Sequence, residues 1–203
     1  MGYFYEALSY VPFGFVASVV FLVIREIGLR LKKEQVSWFH RIMIVVFGLY
    51  LTVVFTLTVS PIYGFSVSNF GSSVNFVPLQ ALNTMTDNPV NFWGNILMFV
   101  PVGMLLVLLS NKCQKLYVTI LIGAGLSVLI EALQLFSSRG TDIDDIILNT
   151  AGTLCGYLSG RMILNVLPSL RKKVGVLKRV ENKCFRNQKD AGSITVLAAF
   201  VLI

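Results

Sequence analysis

Charge, histidine and cysteine are scarce in this chain, and each shortage excludes something. Of 203 residues, 13% are Asp, Glu, Lys or Arg, one is histidine and three are cysteine. His40 alone cannot build a zinc site, which draws on several nitrogen and sulfur ligands. Cys113 and Cys184 fall in segments predicted to be cytoplasmic and Cys155 inside a helix, so no pair is placed for an external disulfide. The stretch from Ser60 to Asn91 holds neither lysine nor arginine. GxSxG, Walker and GxGxxG patterns are missing too, which removes the nucleophile-elbow and phosphate-loop readings.

What fills the chain instead is apolar. Hydrophobic residues make up 55% and the mean hydropathy is +0.75, too much to hide inside one soluble core of this size. Long apolar runs span Ser9–Ile24, Ile42–Val59, Phe92–Leu109, Leu116–Phe136 and Ile146–Leu167. With their flanks, each suits a helix rising about 1.5 Å per residue through a hydrocarbon layer about 30 Å thick. The pattern predicts an all-α polytopic membrane bundle of five spans. A final run, Ser193–Ile203, is too short to span alone and is predicted to lie at the interface. The chain divides into residues 1–70 with two spans, 71–167 with an external loop and three spans, and a basic tail over 168–203.

Basic residues set the orientation, because Lys and Arg collect in short cytoplasmic segments. Fifteen of the 17 lie between the first two spans, between the third and fourth, or in the tail from Arg171 to Lys189. Arg161 sits in the inner half of the fifth span, where it can snorkel inward, and only Arg139 falls on the other side. This predicts an outside N-terminus and an inside C-terminus. The first span lacks a basic flank and a small-residue cleavage site, so it reads as a retained span rather than a signal peptide. The net charge of +7 and the run Arg171–Arg179 then read as orientation signals and partners for anionic lipid, not as a nucleic-acid surface.

Against this apolar background a few polar residues stand out. Glu131 lies inside an apolar stretch of spanning length, where insertion of a charge costs about 3 kcal/mol. Gln134 and Ser127 share its helix face. The fifth span opens with Asp142, Asp144, Asp145 and Asn149, and the third with Asn91 and Asn95, so three helices offer carboxylates and amides at one predicted depth near the outer surface. N-terminal capping, with a capping box from Thr141 or Asp142 to the carboxylate three residues on, accounts for Asp142 and Asp144. It does not account for Asn149, or for Glu131, which sits where the helix dipole disfavours an anion. Asp145, Asn149, Gly152, Gly156 and Gly160 form one stripe whose glycines predict a close helix contact. Pro101 and Gly103 predict a kink in the third span.

The segments NFVPLQAL (Asn75–Leu82), GNILMFVPVGMLL (Gly94–Leu106) and SVLIEALQLFSSRGTDIDDIILNTAGTLCGY (Ser127–Tyr157) resemble the VanZ-like family of bacterial membrane proteins. The resemblance runs from Asn75 to Gly160 and rests on E-x-x-Q followed by R-x-x-D-x-x-D-x-x-x-N-x-x-G, a far more specific pattern than any one piece. It implies a multi-pass protein of the bacterial plasma membrane with a role at the envelope. The family's namesake lowers susceptibility to teicoplanin, a lipid-tailed glycopeptide antibiotic.

Two functions are expected from these residues, and a transporter is a weaker third because no internal repeat is visible. The first is a binding protein whose outer pocket engages a membrane lipid, a cell-wall precursor or a lipophilic antibiotic. Its ligand-binding set is Asn75, Asn95, Glu131, Gln134, Arg139, Asp142, Asp145 and Asn149. The second is an enzyme acting on a lipid-linked phosphate, with Mg²⁺ or Ca²⁺ on Asp142, Asp145 and Glu131, and Glu131 as general base. No second cation and no nucleophile signature supports it, so the balance leans away from catalysis.

Overall fold

A computed structural model describes residues 2–31, 34–35, 37–59, 66, 70–71, 74–83, 85–86, 89–136, 140–170 and 177–178. The helices are α1 (Gly2–Leu31), α2 (Trp38–Val59), the single-turn α3 (Gln80–Asn83), α4 (Pro89–Leu109), α5 (Leu116–Gln134) and α6 (Ile143–Val166), with a 3₁₀ turn at Lys112–Gln114. Two residue pairs of strand tie distant segments together. β1 (Glu34–Gln35) runs antiparallel to β4 (Leu177–Lys178), and β2 (Val74–Asn75) runs parallel to β3 (Thr141–Asp142) with Asn75 opposite Asp142.

Among the described residues, four helices are long and apolar enough to cross a membrane: α1 from Ser9 onward, α2, α4 and α5. The fifth expected span, α6, has the length at 24 residues, but its glycines, hydroxyls, Asn149 and Arg161 keep it outside that apolar group. The sequence places Arg25, Arg30 and Arg41 in the first connection, but α1 continues to Leu31 and α2 starts at Trp38. All three arginines are therefore helical, and Arg41 is bound to Glu26 at 2.6 Å. Residues 193–203 and most of the basic tail lie outside the described residues.

The core forms around α4, where Phe99, Val102 and Val107 are fully buried, with Ile130 of α5 and Val54 of α2 beside them. Large apolar side chains such as Phe13, Val20 and Phe21 stay exposed along α1, as expected of a surface wetted by lipid. The glycine stripe of α6 packs on α4. A methyl group at Gly152, Gly156 or Gly160 would meet the carbonyls of Ile96, Val100 or Met104 in turn. Both series advance together, so α4 and α6 run parallel and occupy the same depth, and α5 returns between them. Gly103 belongs to this seam as well, because a side chain there would strike the Thr153 carbonyl. Pro101 and Gly103 both lie inside α4, which is one helix from Pro89 to Leu109.

Hydroxyls within the bundle are absorbed locally. Ser18, Thr52, Thr56, Thr58, Thr150 and Thr153 each donate to a carbonyl one turn back, the inexpensive solution where water is missing. Cross-links between helices are fewer. Tyr50 Oη donates to the Met98 carbonyl at 2.7 Å, joining α2 to α4, and Tyr157 Oη donates to the Gln114 carbonyl at 3.0 Å. Arg161 reaches the Gln114 side chain at 3.4 Å, near the 3₁₀ turn.

Candidate functional site

The end of α5 turns Ser127, Glu131 and Gln134 onto one face, as their spacing dictates, and all three are buried. Each meets a different element. Asn149 Nδ2 of α6 donates to Ser127 Oγ at 2.9 Å, Gln134 Nε2 donates to the Thr58 carbonyl of α2 at 2.8 Å, and Glu131 Oε2 accepts the backbone N–H of Asp142 at 3.0 Å. Thr141 Oγ1 adds a donation to the Glu131 carbonyl at 3.2 Å.

The start of α6 therefore departs from the expected capping box. Asp142 is the N-cap, accepting the Asp144 N–H at 2.9 Å, but its own N–H is taken by Glu131 from the neighbouring helix rather than by the carboxylate three residues on. That releases Asp145, whose Oδ1 accepts from Asn95 Nδ2 of α4. Asp144 is not a free capping acid either. It is 2% exposed and takes the backbone N–H groups of Leu79 and Ala81, the latter at 2.7 Å. Leu79 has φ of 66°, a left-handed conformation unusual for a branched side chain and held here by that bond.

Asn75 does similar bracing. Its Oδ1 accepts the Val77 N–H, and its Nδ2 donates to Gln80 Oε1 and to Asp142 Oδ2, each at 3.1 Å. With the β2–β3 pair, this clasps the segment before α4 onto the first turn of α6.

Of the expected ligand set, five residues converge. Asn95, Glu131, Gln134, Asp145 and Asn149 line one cavity of about 680 Å³ between α2, α4, α5 and α6. The lining also includes the apolar residues Val53, Leu57, Leu97 and Ile130. Asn149 is 2% exposed, and its Oδ1 is buried without a hydrogen-bond partner. No lysine or arginine stands in this lining among the described residues. Asn75 and Asp142 stand outside the lining and serve the clasp, and Arg139 lies outside the described residues.

Among the described residues, no three Asp, Glu, His or Cys side chains are gathered so as to hold an ion. The oxygens of Asp142, Asp145 and Glu131, the expected metal ligands, accept from backbone and amide donors on four elements, β2, β3, α4 and α6.

Sequence reasoning missed the part played by α2. Tyr50 and Thr58 line the cavity together with Val54 and Leu57. These four lie at helical spacings on one face, and the two polar members inside an apolar span were the available signal.

A family model described as VanZ/LLP1 matches residues 42–164, from α2 to the end of α6. No curated protein and no solved structure matches the chain.

Proposed function

Since this chain belongs to the VanZ/LLP1 family and has the apolar helices of a membrane protein, we propose that it binds an amphiphile of the cell envelope in the cavity beside Glu131. Candidate ligands are an envelope lipid, a cell-wall precursor or a lipoglycopeptide antibiotic of the teicoplanin type. One observation carries the reading: a cavity within the helix bundle is lined by carboxyl and amide side chains together with aliphatic ones.

Such a surface selects by chemistry. The carboxyl groups of Glu131 and Asp145 are acceptors, so they favour a head group rich in N–H or O–H donors, and an amine most of all. A bare anion meets two carboxylates and no described cation there. The aliphatic wall of Val53, Leu57 and Leu97 suits an alkyl chain entering from the lipid. Polar recognition and chain burial together fit an amphiphile better than a soluble ion or sugar.

Lipids carried through purification test this directly. The protein and its Asn149→Leu variant are extracted in mild detergent, and bound species are compared by mass spectrometry with the bulk membrane. The expected result is enrichment of an amine- or hydroxyl-bearing amphiphile on the native protein and its loss from the variant. Bound lipids that mirror the membrane in both samples would defeat the proposal.

A further inference from the structure

The cavity beside Glu131 is unevenly open, and the unevenness has a direction. Its lining residues on α5 and α6 are buried or half-buried, with Ile130 1% and Glu131 4% exposed. Among the described lining residues, every exposed one comes from α2 or α4: Leu57, Val90, Asn91, Gly94 and Leu97. The cavity therefore opens on the side formed by these two helices. Val90, Gly94 and Leu97 follow at helical spacing, so they make one stripe of α4 that runs about 10 Å along the helix axis. Met98, the next residue, has its carbonyl bonded by Tyr50 Oη at 2.7 Å, which ties α2 to α4 at that end of the stripe.

Both helices are long and apolar enough to span a membrane, and Leu57, Val90 and Leu97 are 45%, 81% and 64% exposed. In a bilayer, what meets these side chains is hydrocarbon rather than water. Gly94 stands in the middle of the stripe, and a Cβ built there meets no described atom within 4 Å. The glycines of the α4–α6 seam differ, since the same Cβ would crowd a backbone carbonyl in each. No helix contact requires glycine at 94, and glycine is a poor helix former. The space it leaves belongs to the cavity lining.

We infer that an acyl chain lies in this opening across Gly94. The ligand then remains partly in the bilayer, with its polar end at Glu131 and Asp145 and its chain leaving between Leu57 and Leu97. This assignment rests on the cavity being an amphiphile site, as proposed above, and adds where the chain lies and which residue admits it. A side chain at 94 would take up the same space, so Gly94 decides whether a chain fits.

The probe is a phosphatidylethanolamine with a diazirine at the end of one acyl chain, added at low fraction to dioleoylphosphatidylcholine nanodiscs that hold the full chain. After irradiation, mass spectrometry of the digested protein reads which residues carry lipid. Label is expected on exposed α1 residues such as Phe13 and Phe21, which face bulk lipid, and also on the buried Ile130 and Glu131. Gly94→Leu should reduce the label at Ile130 and Glu131 about fivefold and leave the α1 label unchanged. Gly125→Leu on α5 is the control, because that position is also exposed and open but lies outside the cavity lining. Leu97→Trp narrows the same opening from an exposed position and should act in the same direction, which keeps the test decisive should Gly94→Leu not fold.

Label at Ile130 and Glu131 that survives both substitutions at the opening overturns the inference and leaves the amphiphile reading standing. An equal loss in Gly125→Leu overturns it as well, because bulk elsewhere on the bundle would then have the same effect. A native protein labelled on α1 but on neither Ile130 nor Glu131 would defeat both, since no chain would then enter the cavity.

Discussion

Glu131 has two tasks that can be separated by substitution. Its Oε2 holds the Asp142 N–H at the start of α6, and its charge faces the cavity. Glu131→Gln keeps an acceptor oxygen for that N–H and removes the charge, so stability should change little while binding of an amine-bearing ligand weakens about tenfold. Glu131→Ala strands a buried N–H and should cost about 1–3 kcal/mol, seen as a lower unfolding midpoint in detergent. Similar midpoints for both variants would show that the cap contributes nothing. Asp144 offers a second case, since both its oxygens are occupied by backbone N–H groups of the 79–81 turn. Asp144→Asn leaves one oxygen for two donors, and the left-handed Leu79 loses part of what holds it. Hydrogen exchange at Leu79 and Ala81 should accelerate, with the helical amides of α4 unaffected.

At the scale of the elements, the parallel contact of α4 with α6 decides the shape of the site. The glycines permit the two backbones to approach, and this brings Asn95 within reach of Asp145. Gly156→Ala inserts a methyl group against the Val100 carbonyl and should destabilise by about 1–3 kcal/mol, the usual cost of overpacking. Gly125→Ala on α5 meets nothing within 4 Å and should be neutral or slightly stabilising, since alanine is the better helix former. Measured side by side in detergent unfolding, equal effects of the two substitutions would mean that the seam is looser than described. The same pairing explains how α6 keeps Asn149 and Thr153 away from lipid: both are buried, packed toward α5 and α4.

For the molecule as a whole, the distribution of lysine and arginine predicts that the Glu131 end faces outward. Single cysteines report this when Cys113, Cys155 and Cys184 are replaced by alanine. Phe76→Cys, in the exposed segment after β2, should react with a membrane-impermeant maleimide added to intact cells. Lys115→Cys, beyond the other end of α4, should react only after lysis. The reverse pattern would place the cavity beside Glu131 on the cytosolic side and remove envelope ligands from consideration.

Much of this was legible in the chain because membrane solvent imposes simple rules. Apolar length announces α1, α2, α4 and α5, and the small-residue period announces the seam on α6. An ionisable group in an apolar run marks Glu131 as a residue with a partner. Which partner was not legible, because capping rules are local and the N–H of Asp142 found its acceptor 11 residues back on another helix. The same holds for Asn75 and Asp144, whose side chains read as ligand or cap and act as a clasp between segments more than 60 residues apart. Local periodicity determines which face of a helix is polar. Only the packing of four helices decided which polar atoms were satisfied by one another and which, like Asn149 Oδ1, were buried without a partner.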